Sequence, residues 1–145
     1  MHRPDWKTID NPFDANDPIL LLPAIRPDVT LFHAPYADRS GNVFIGRRRD
    51  LATTTQASIK GALVTVEEVR DVDLMASEET AAGTLPAIYV ESCAIAKQGA
   101  WPCGLWDLYP ADEMHFRRYG ELARTEDGFA RYLDEFVFRQ RRAAE

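Results

Sequence analysis

The residues of this chain that could do chemistry fall into a few short stretches. In HAPYADRSGNVFIG, residues 33–46, a single imidazole, His33, follows an apolar run and precedes the turn sequence Asp38-Arg39-Ser40-Gly41-Asn42. An imidazole can move protons or bind a metal. No second His or Cys stands near His33 in sequence, so the residues alone point first to a hydrogen-bonded side chain. A pair of carboxylates, Glu67-Glu68, follows the run ALVTV directly. Such a pair could supply a nucleophile or cap and hydrogen-bond at a strand end, and the second reading is favoured. In residues 98–104 (QGAWPCG), glycine and proline can bring backbone close to a ligand while Trp101 walls a pocket. The alternative is a connecting loop with a packed Trp. The run Arg47-Arg48-Arg49 reads as a solvated loop, with an anion or phosphate contact as the second reading. Cys93 and Cys103 match no zinc or redox spacing, and nothing beside Cys103 in sequence activates it as a nucleophile.

Motifs that would name an activity outright are missing from the sequence. It contains no GxGxxG, P-loop, HExxH, GxSxG or EF-hand pattern. The 145 residues suit one domain, and 46% hydrophobic with 28% charged residues is an ordinary globular balance. A net charge of −6 argues against a general nucleic-acid binder. The polar start MHRPDWKTID shows no signal peptide, and no apolar run is long enough for a bilayer. These features, with two unpaired thiols, lead to the expectation of a cytoplasmic protein.

Several elements must position these residues. Short strands are expected at 29–32, 43–45, 62–66 and 88–90, with 93–96 continuing the last or pairing with it. The runs at 29–32 and 62–66 lack polar alternation and predict strands buried on both faces. Helices are expected over 51–60, 78–82, 111–123 and 126–139. Residues 1–18, rich in Asp, Asn and Pro, predict an extended segment without regular structure, tied down only by packing on something else. The alternation predicts a single α/β domain over 1–145, with a largely parallel sheet and flanking helices. Ligands in such sheets sit beyond the carboxyl ends of the strands. That rule would gather His33, the turn at 38–42 and Glu67 at one edge.

The order of the segments resembles the C-terminal half of the A-type subunit of the class I CoA-transferases, in the style of the glutaconate branch. LPAIRPDVTLFHAPYADRSGNV (22–43) is similar to the family's Pro-Ala-Ile, Pro-Asp, strand, His and Ala-Asp-x-x-Gly-Asn pattern. LVTVEEV (63–69) is similar to its strand ending in Glu-Glu. LPAIYVESCAIAKQGAWPCG (85–104) resembles its strand and Gly-Ala-His-Pro loop, with Trp101 in place of the His. YLDEFVF (132–138) and KTIDNPF (7–13) resemble its terminal helix and the linker before this half.

The resemblance implies acyl-CoA chemistry. In the family a glutamate carboxylate attacks the thioester, giving an acyl-glutamyl anhydride and then a glutamyl-CoA thioester, from which a second carboxylic acid takes up CoA. Backbone amides of a Gly-rich loop stabilise the oxyanion. That loop belongs to the N-terminal half, and the nucleophile belongs to the B-type subunit. The resemblance therefore implies no catalytic residue here; the strand-end rule and the loop composition make His33, Arg39, Gln98, Gly99 and Trp101 the candidate substrate contacts. It implies no metal and no bound cofactor, with a coenzyme A thioester as substrate. The partners would be a chain supplying the Gly-rich half and a glutamate-bearing B-type subunit, in a hetero-oligomer without nucleic acid or membrane. A hydrolase or ring-opening relative on the same fold, or a non-catalytic truncated interaction module, are the alternatives. A small-molecule-binding regulatory domain has no motif in its favour.

Overall fold

The computed structural model describes residues 3–138. Its centre is a five-stranded mixed sheet. β3 (Thr30–Asp38), β5 (Ala62–Arg70) and β7 (Val90–Ile95) run parallel. β4 (Val43–Phe44) and β6 (Thr84–Leu85) are antiparallel additions at one edge, giving the order β6-β4-β3-β5-β7. The parallel part is thus the three-stranded core alone. The short β3–β4 connection returns the chain as a hairpin, which only an antiparallel pair allows.

The central strands are longer than their apolar runs. β3 continues through His33 to Asp38, and β5 through Glu67 to Arg70. The apolar pattern predicts that both stop at the first polar residue. They continue because each strand's backbone pairs with the other up to Asp38↔Arg70, and ladder bonds do not require apolar side chains.

The register also sets which face each residue takes, since side chains alternate along a strand. Thr30, Phe32, Ala34, Ala62, Val64 and Val66 share one face. Helix α1 (Arg49–Ala57) covers it with Leu51 and Ala52. Ala34, Ala62, Val64 and Val66 are each at most 3% exposed. Leu31, His33, Leu63, Thr65 and Glu67 lie on the other face. There Leu31 is 70% and Leu63 39% exposed, which corrects the expectation of burial on both sides. α1 is the sheet's only long helical cover among the described residues, so apolar residues on the opposite face meet solvent.

Two strands form where the sequence predicts no regular structure. β1 (Lys7–Ile9) and β2 (Ile19–Leu21) pair antiparallel as a separate, exposed two-stranded sheet. α2 (Glu78–Ala81), α3 (Glu113–Leu122) and α4 (Glu126–Tyr132) start at Ser77, Asp112 and Thr125. Each of those side chains accepts a hydrogen bond from a first-turn amide, with acidic residues following. α4 runs into a wider π turn, Leu133–Phe138; the end expected at 139 lies outside the described residues. A 3₁₀ turn, Ala87–Tyr89, replaces the start of the strand expected at 88, and β7 takes up the expected continuation.

Candidate functional site

The His33–Glu67 cluster sits on the half-open face of the sheet. In the parallel register Thr65 stands beside His33, and Glu67 is two residues further along β5, on the same face. The imidazole bridges them. Its Nδ1 lies 2.9 Å from Thr65 Oγ1, and its Nε2–H donates to Glu67 Oε1 at 2.8 Å. The segment after β7 then crosses over both. Glu67 Oε2 accepts from the Gln98 backbone N–H at 2.9 Å. Glu67 Oε1 also accepts from the Tyr109 hydroxyl at 2.7 Å and the Gly99 N–H at 3.3 Å. Tyr109 Oη in turn accepts from the Ala100 N–H at 3.1 Å.

Electrostatics follow from this geometry. Burial of Glu67, 8% exposed, pushes its carboxyl toward the neutral form. The bonds from Tyr109, the Gln98 amide and His33, with the charge of His33, outweigh that and hold it ionised, down to about 2. Burial pushes the Tyr109 phenol up, and the bond to Glu67 adds to this, so Tyr109 keeps its proton to donate. Both imidazole nitrogens and both carboxylate oxygens are engaged. In this state the cluster is a clamp that ties residues 96–110 across β3 and β5, with both Glu67 oxygens engaged in it. Its neighbour Glu68 points to the other face and pairs with Arg70 Nε at 2.6 Å. Both glutamates thus hydrogen-bond, as favoured from the sequence, although in mid-strand.

Gly99 is required by close approach. A Cβ there would lie 2.6 Å from His33 Cε1 and Nδ1. Gln98 has φ 54° and Asp107 has φ 62°, the two non-glycine residues in the left-handed region among the described residues. Both lie in this crossing segment, where the Gln98 N–H donates to Glu67 and its carbonyl accepts from the Trp101 N–H. Beside the clamp is an open depression of about 470 Å³, lined by Leu31, His33, Leu63, Thr65, Ser92 and Gly99 among others.

The structure brings His33, Gln98 and Gly99 together. Trp101 is on the same segment but turns away. Its indole N–H donates to Asp112 at 3.2 Å, and its ring packs on His115 at 4.3 Å between centroids. Arg39 is elsewhere. It sits six residues along the chain from His33, roughly 20 Å at about 3.3 Å per residue, and pairs with Asp71 at 3.4 Å on an exposed surface. The expected gathering at one strand end therefore does not occur, because His33 and Glu67 lie in mid-strand. The turn at 38–42 has its own organiser: buried Asp38 accepts from the amides of Ser40, Asn42 and Leu74 and from Asn42 Nδ2. Tyr109 and Thr65 complete the site and carry no signal in the sequence; a tyrosine before a proline in a loop says nothing of burial against a carboxylate. Among the described residues no His/Cys/Asp/Glu group could hold a metal ion, and no helix is long and apolar enough to cross a membrane.

The site thus sits on a parallel three-stranded core, covered by α1 on one face and crossed in part by a glutamate-clamped segment on the other. Comparisons with known proteins find the chain similar to the A-type subunits of CoA-transferases. It is 30% identical over 135 residues to the A-type subunit of 3-oxoadipate CoA-transferase from Pseudomonas knackmussii, covering 93% of this chain and 46% of that protein. The A-type subunit of glutaconate CoA-transferase from Acidaminococcus fermentans is 29% identical, over 92% and 41% respectively. The crystal structure of glutaconate coenzyme A-transferase from A. fermentans superposes with a TM-score of 0.78 at 28% identity, over 92% of this chain and 42% of that one. A variant of the decarboxylase AibA/AibB gives 0.70 at 30% identity, over 91% and 47%. The chain therefore spans less than half the length of the relatives it matches. No family model matches the sequence.

Proposed function

We propose that this chain is half of a CoA-transferase-like A-type subunit, the C-terminal half by its motifs. It works in an enzyme that moves CoA between an acyl-CoA thioester and a carboxylic acid. The observation that carries this reading is similarity to two CoA-transferase A-type subunits over more than nine-tenths of this chain but less than half of theirs. The Gly-rich half lies outside the 145 residues, and a partner chain supplies the glutamate nucleophile. The nucleophile's carboxylate forms an anhydride with the acyl group and expels CoA thiolate. The thiolate attacks the glutamyl carbonyl and releases the first acid. The second acid then attacks the glutamyl thioester, expels CoA thiolate and forms a new anhydride; the thiolate attacks its acyl carbonyl, which gives the new acyl-CoA and frees the glutamate.

The residues here would build and stiffen one wall of that site. Glu67, fully bonded, positions His33 and the 98–100 backbone rather than reacting. The amides of Gln98 and Gly99 are committed to Glu67, so the oxyanion donors are other groups. Surface area supports the need for partners. A compact monomer of 16.4 kDa exposes roughly 7,500 Å², whereas this chain exposes 11,157 Å². A parallel sheet is normally covered on both faces, yet Leu31, Leu63 and β7 are open.

Co-purification from the native cell with mass spectrometry tests this, followed by an assay of acyl-CoA plus free acid on what is recovered. The reading requires a glutamate-bearing CoA-transferase-like chain in the complex and turnover by it. Recovery of the chain alone, without turnover, would count for a non-catalytic module. The likeness to a decarboxylase favours one second reading, loss of CO₂ from an acyl-CoA, which release of CO₂ by the same complex would establish.

A further inference from the structure

Three parallel strands bring an imidazole and two hydroxyls to the open face of the sheet. His33 on β3 and Thr65 on β5 are direct register partners. Ser92 on β7 is the partner of Leu63, two residues before Thr65 and on the same face. The polarity of the His33 bonds follows from Glu67. That carboxylate is ionised and can only accept, so His33 Nε2 carries the proton of the 2.8 Å bond between them. In the neutral imidazole Nδ1 is then an acceptor. The Thr65 hydroxyl donates to it at 2.9 Å, its one side-chain hydrogen bond among the described residues.

A hydroxyl that donates to an imidazole, whose other nitrogen donates to a shielded carboxylate, is the arrangement that activates an alcohol as a nucleophile. Either ring nitrogen can serve as the base, because the bond made by the other one sets the roles. The His33 and Glu67 side chains are both largely buried, so the orienting pair is kept from water. Thr65 is half-buried and reaches the open depression of about 470 Å³. The exposed Ser92 hydroxyl borders the same depression and can donate to a carbonyl oxygen as charge develops on it. Exposed Leu31, Leu63 and Ala94 make the walls apolar. The lining holds no lysine or arginine to receive a carboxylate or a phosphate. The ligand class that fits is an uncharged carboxylic ester with a short apolar acyl group, and a volume of this size suits one such molecule.

The geometry points to a second activity of this chain, hydrolysis of such an ester at the open sheet face by Thr65 and His33. Thr65 Oγ1 bonds to the ester carbonyl carbon while its proton passes to His33 Nδ1. The bond from that carbon to the alcohol oxygen breaks, and the imidazolium returns the proton to the departing alcohol. Water then attacks the acyl-threonine and gives a proton to Nδ1. The carboxylic acid leaves as Thr65 recovers that proton. Glu67 touches no reacting atom; it is a positioning residue that holds the tautomer and steadies the imidazolium. The activity needs neither coenzyme A nor a partner's glutamate, so its failure leaves the function proposed above untouched.

Incubation of the full chain with p-nitrophenyl acetate and p-nitrophenyl butyrate tests this. Nitrophenolate release gives the rate, and peptide mass spectrometry locates the acyl group. Turnover is expected above that of an equal concentration of free imidazole, with the acyl group on Thr65. Thr65→Val is expected to lower kcat by about a hundredfold or more, as loss of an activated nucleophile does. Thr65→Ser keeps the hydroxyl and is expected to retain turnover. His33→Gln should cost about as much as Thr65→Val, and the double variant no more than either, because the two groups act as a unit. Glu67→Gln, assayed below its melting transition, should lower kcat and leave KM unchanged. Ser92→Ala should lower kcat by about tenfold or more. Far-UV spectra confirm that the variants are folded; should Thr65→Val not fold, the site of acylation in the unaltered chain and the activity of Thr65→Ser decide. Absence of both turnover and adduct, acyl groups confined to lysines or to Cys93 and Cys103, or turnover indifferent to Thr65→Val would overturn the inference.

Discussion

The Glu67 clamp makes a stability prediction with a definite sign. In the folded chain the Glu67 carboxyl is held at about 2, below an ordinary glutamate near 4.5. A depressed carboxyl stabilises the fold above its unfolded value and loses that contribution as pH falls toward the folded one. The window is thus pH 4.5 down to about 2. At roughly 1.36 kcal/mol per pH unit, discounted for solvent at the rim, the contribution at neutral pH is on the order of 2–3 kcal/mol. Glu67→Gln keeps the shape but removes the charge and sets an amide N–H₂ against the donors of Tyr109 or Gln98. At neutral pH the variant should melt about 6–10 °C lower, at a few degrees per kcal/mol for a chain of this size. Asp38 and Asp112 are also held below the usual range by hydrogen bonds, so wild type alone would mix their contributions. The difference between wild type and variant isolates Glu67. Urea unfolding of both chains from pH 7 to pH 2 should show that gap shrinking through the window to near zero. A gap constant with pH would refute the clamp, since a purely steric effect does not titrate.

Other substitutions test separate links. Gly99→Ala should lower stability by about 1–3 kcal/mol, because its Cβ meets the His33 ring and overpacking there has little room to relax; denaturant titration measures it. Gly120→Ala in α3, with nothing within 4 Å of the added carbon, should raise stability by up to about 1 kcal/mol in the same experiment. Thr55 buries a hydroxyl without a hydrogen-bond partner, so Thr55→Val should be neutral or stabilise by about 1 kcal/mol, read as a rise in melting temperature. Asp38→Ala should cost about 2–4 kcal/mol by freeing several turn amides, with faster amide exchange at Ser40, Asn42 and Leu74.

Much of the sheet is legible in the sequence because apolar runs mark strand centres. The runs at 29–32 and 62–66 are the buried starts of β3 and β5. Their ends are hidden, because a strand's pairing continues through polar residues such as His33 and Glu67 whenever the neighbouring backbone does. The single covered face is hidden too: Leu31 and Leu63 read as buried, and only the register shows that they share the face α1 leaves open. In the site, His33, Gln98 and Gly99 carry a signal in residue type and loop composition. Trp101 and Arg39 carry similar signals and go elsewhere, because which way a loop side chain turns depends on partners distant in sequence, Asp112 and Asp71. Tyr109 joins the cluster 42 residues away from Glu67, a distance over which no local pattern reaches.

β7 has a consequence for how the chain must be made. Among the described residues Val90–Ile95 pairs on one side only, and its sequence VESCAI contains no proline or lysine and a single charge. Such an edge is a template for any strand that meets it, including the same strand of another copy. Under the function proposed above, copies synthesised in excess of a partner would pair with each other and be lost to insoluble material, and the yield of usable protein would follow the scarcer chain.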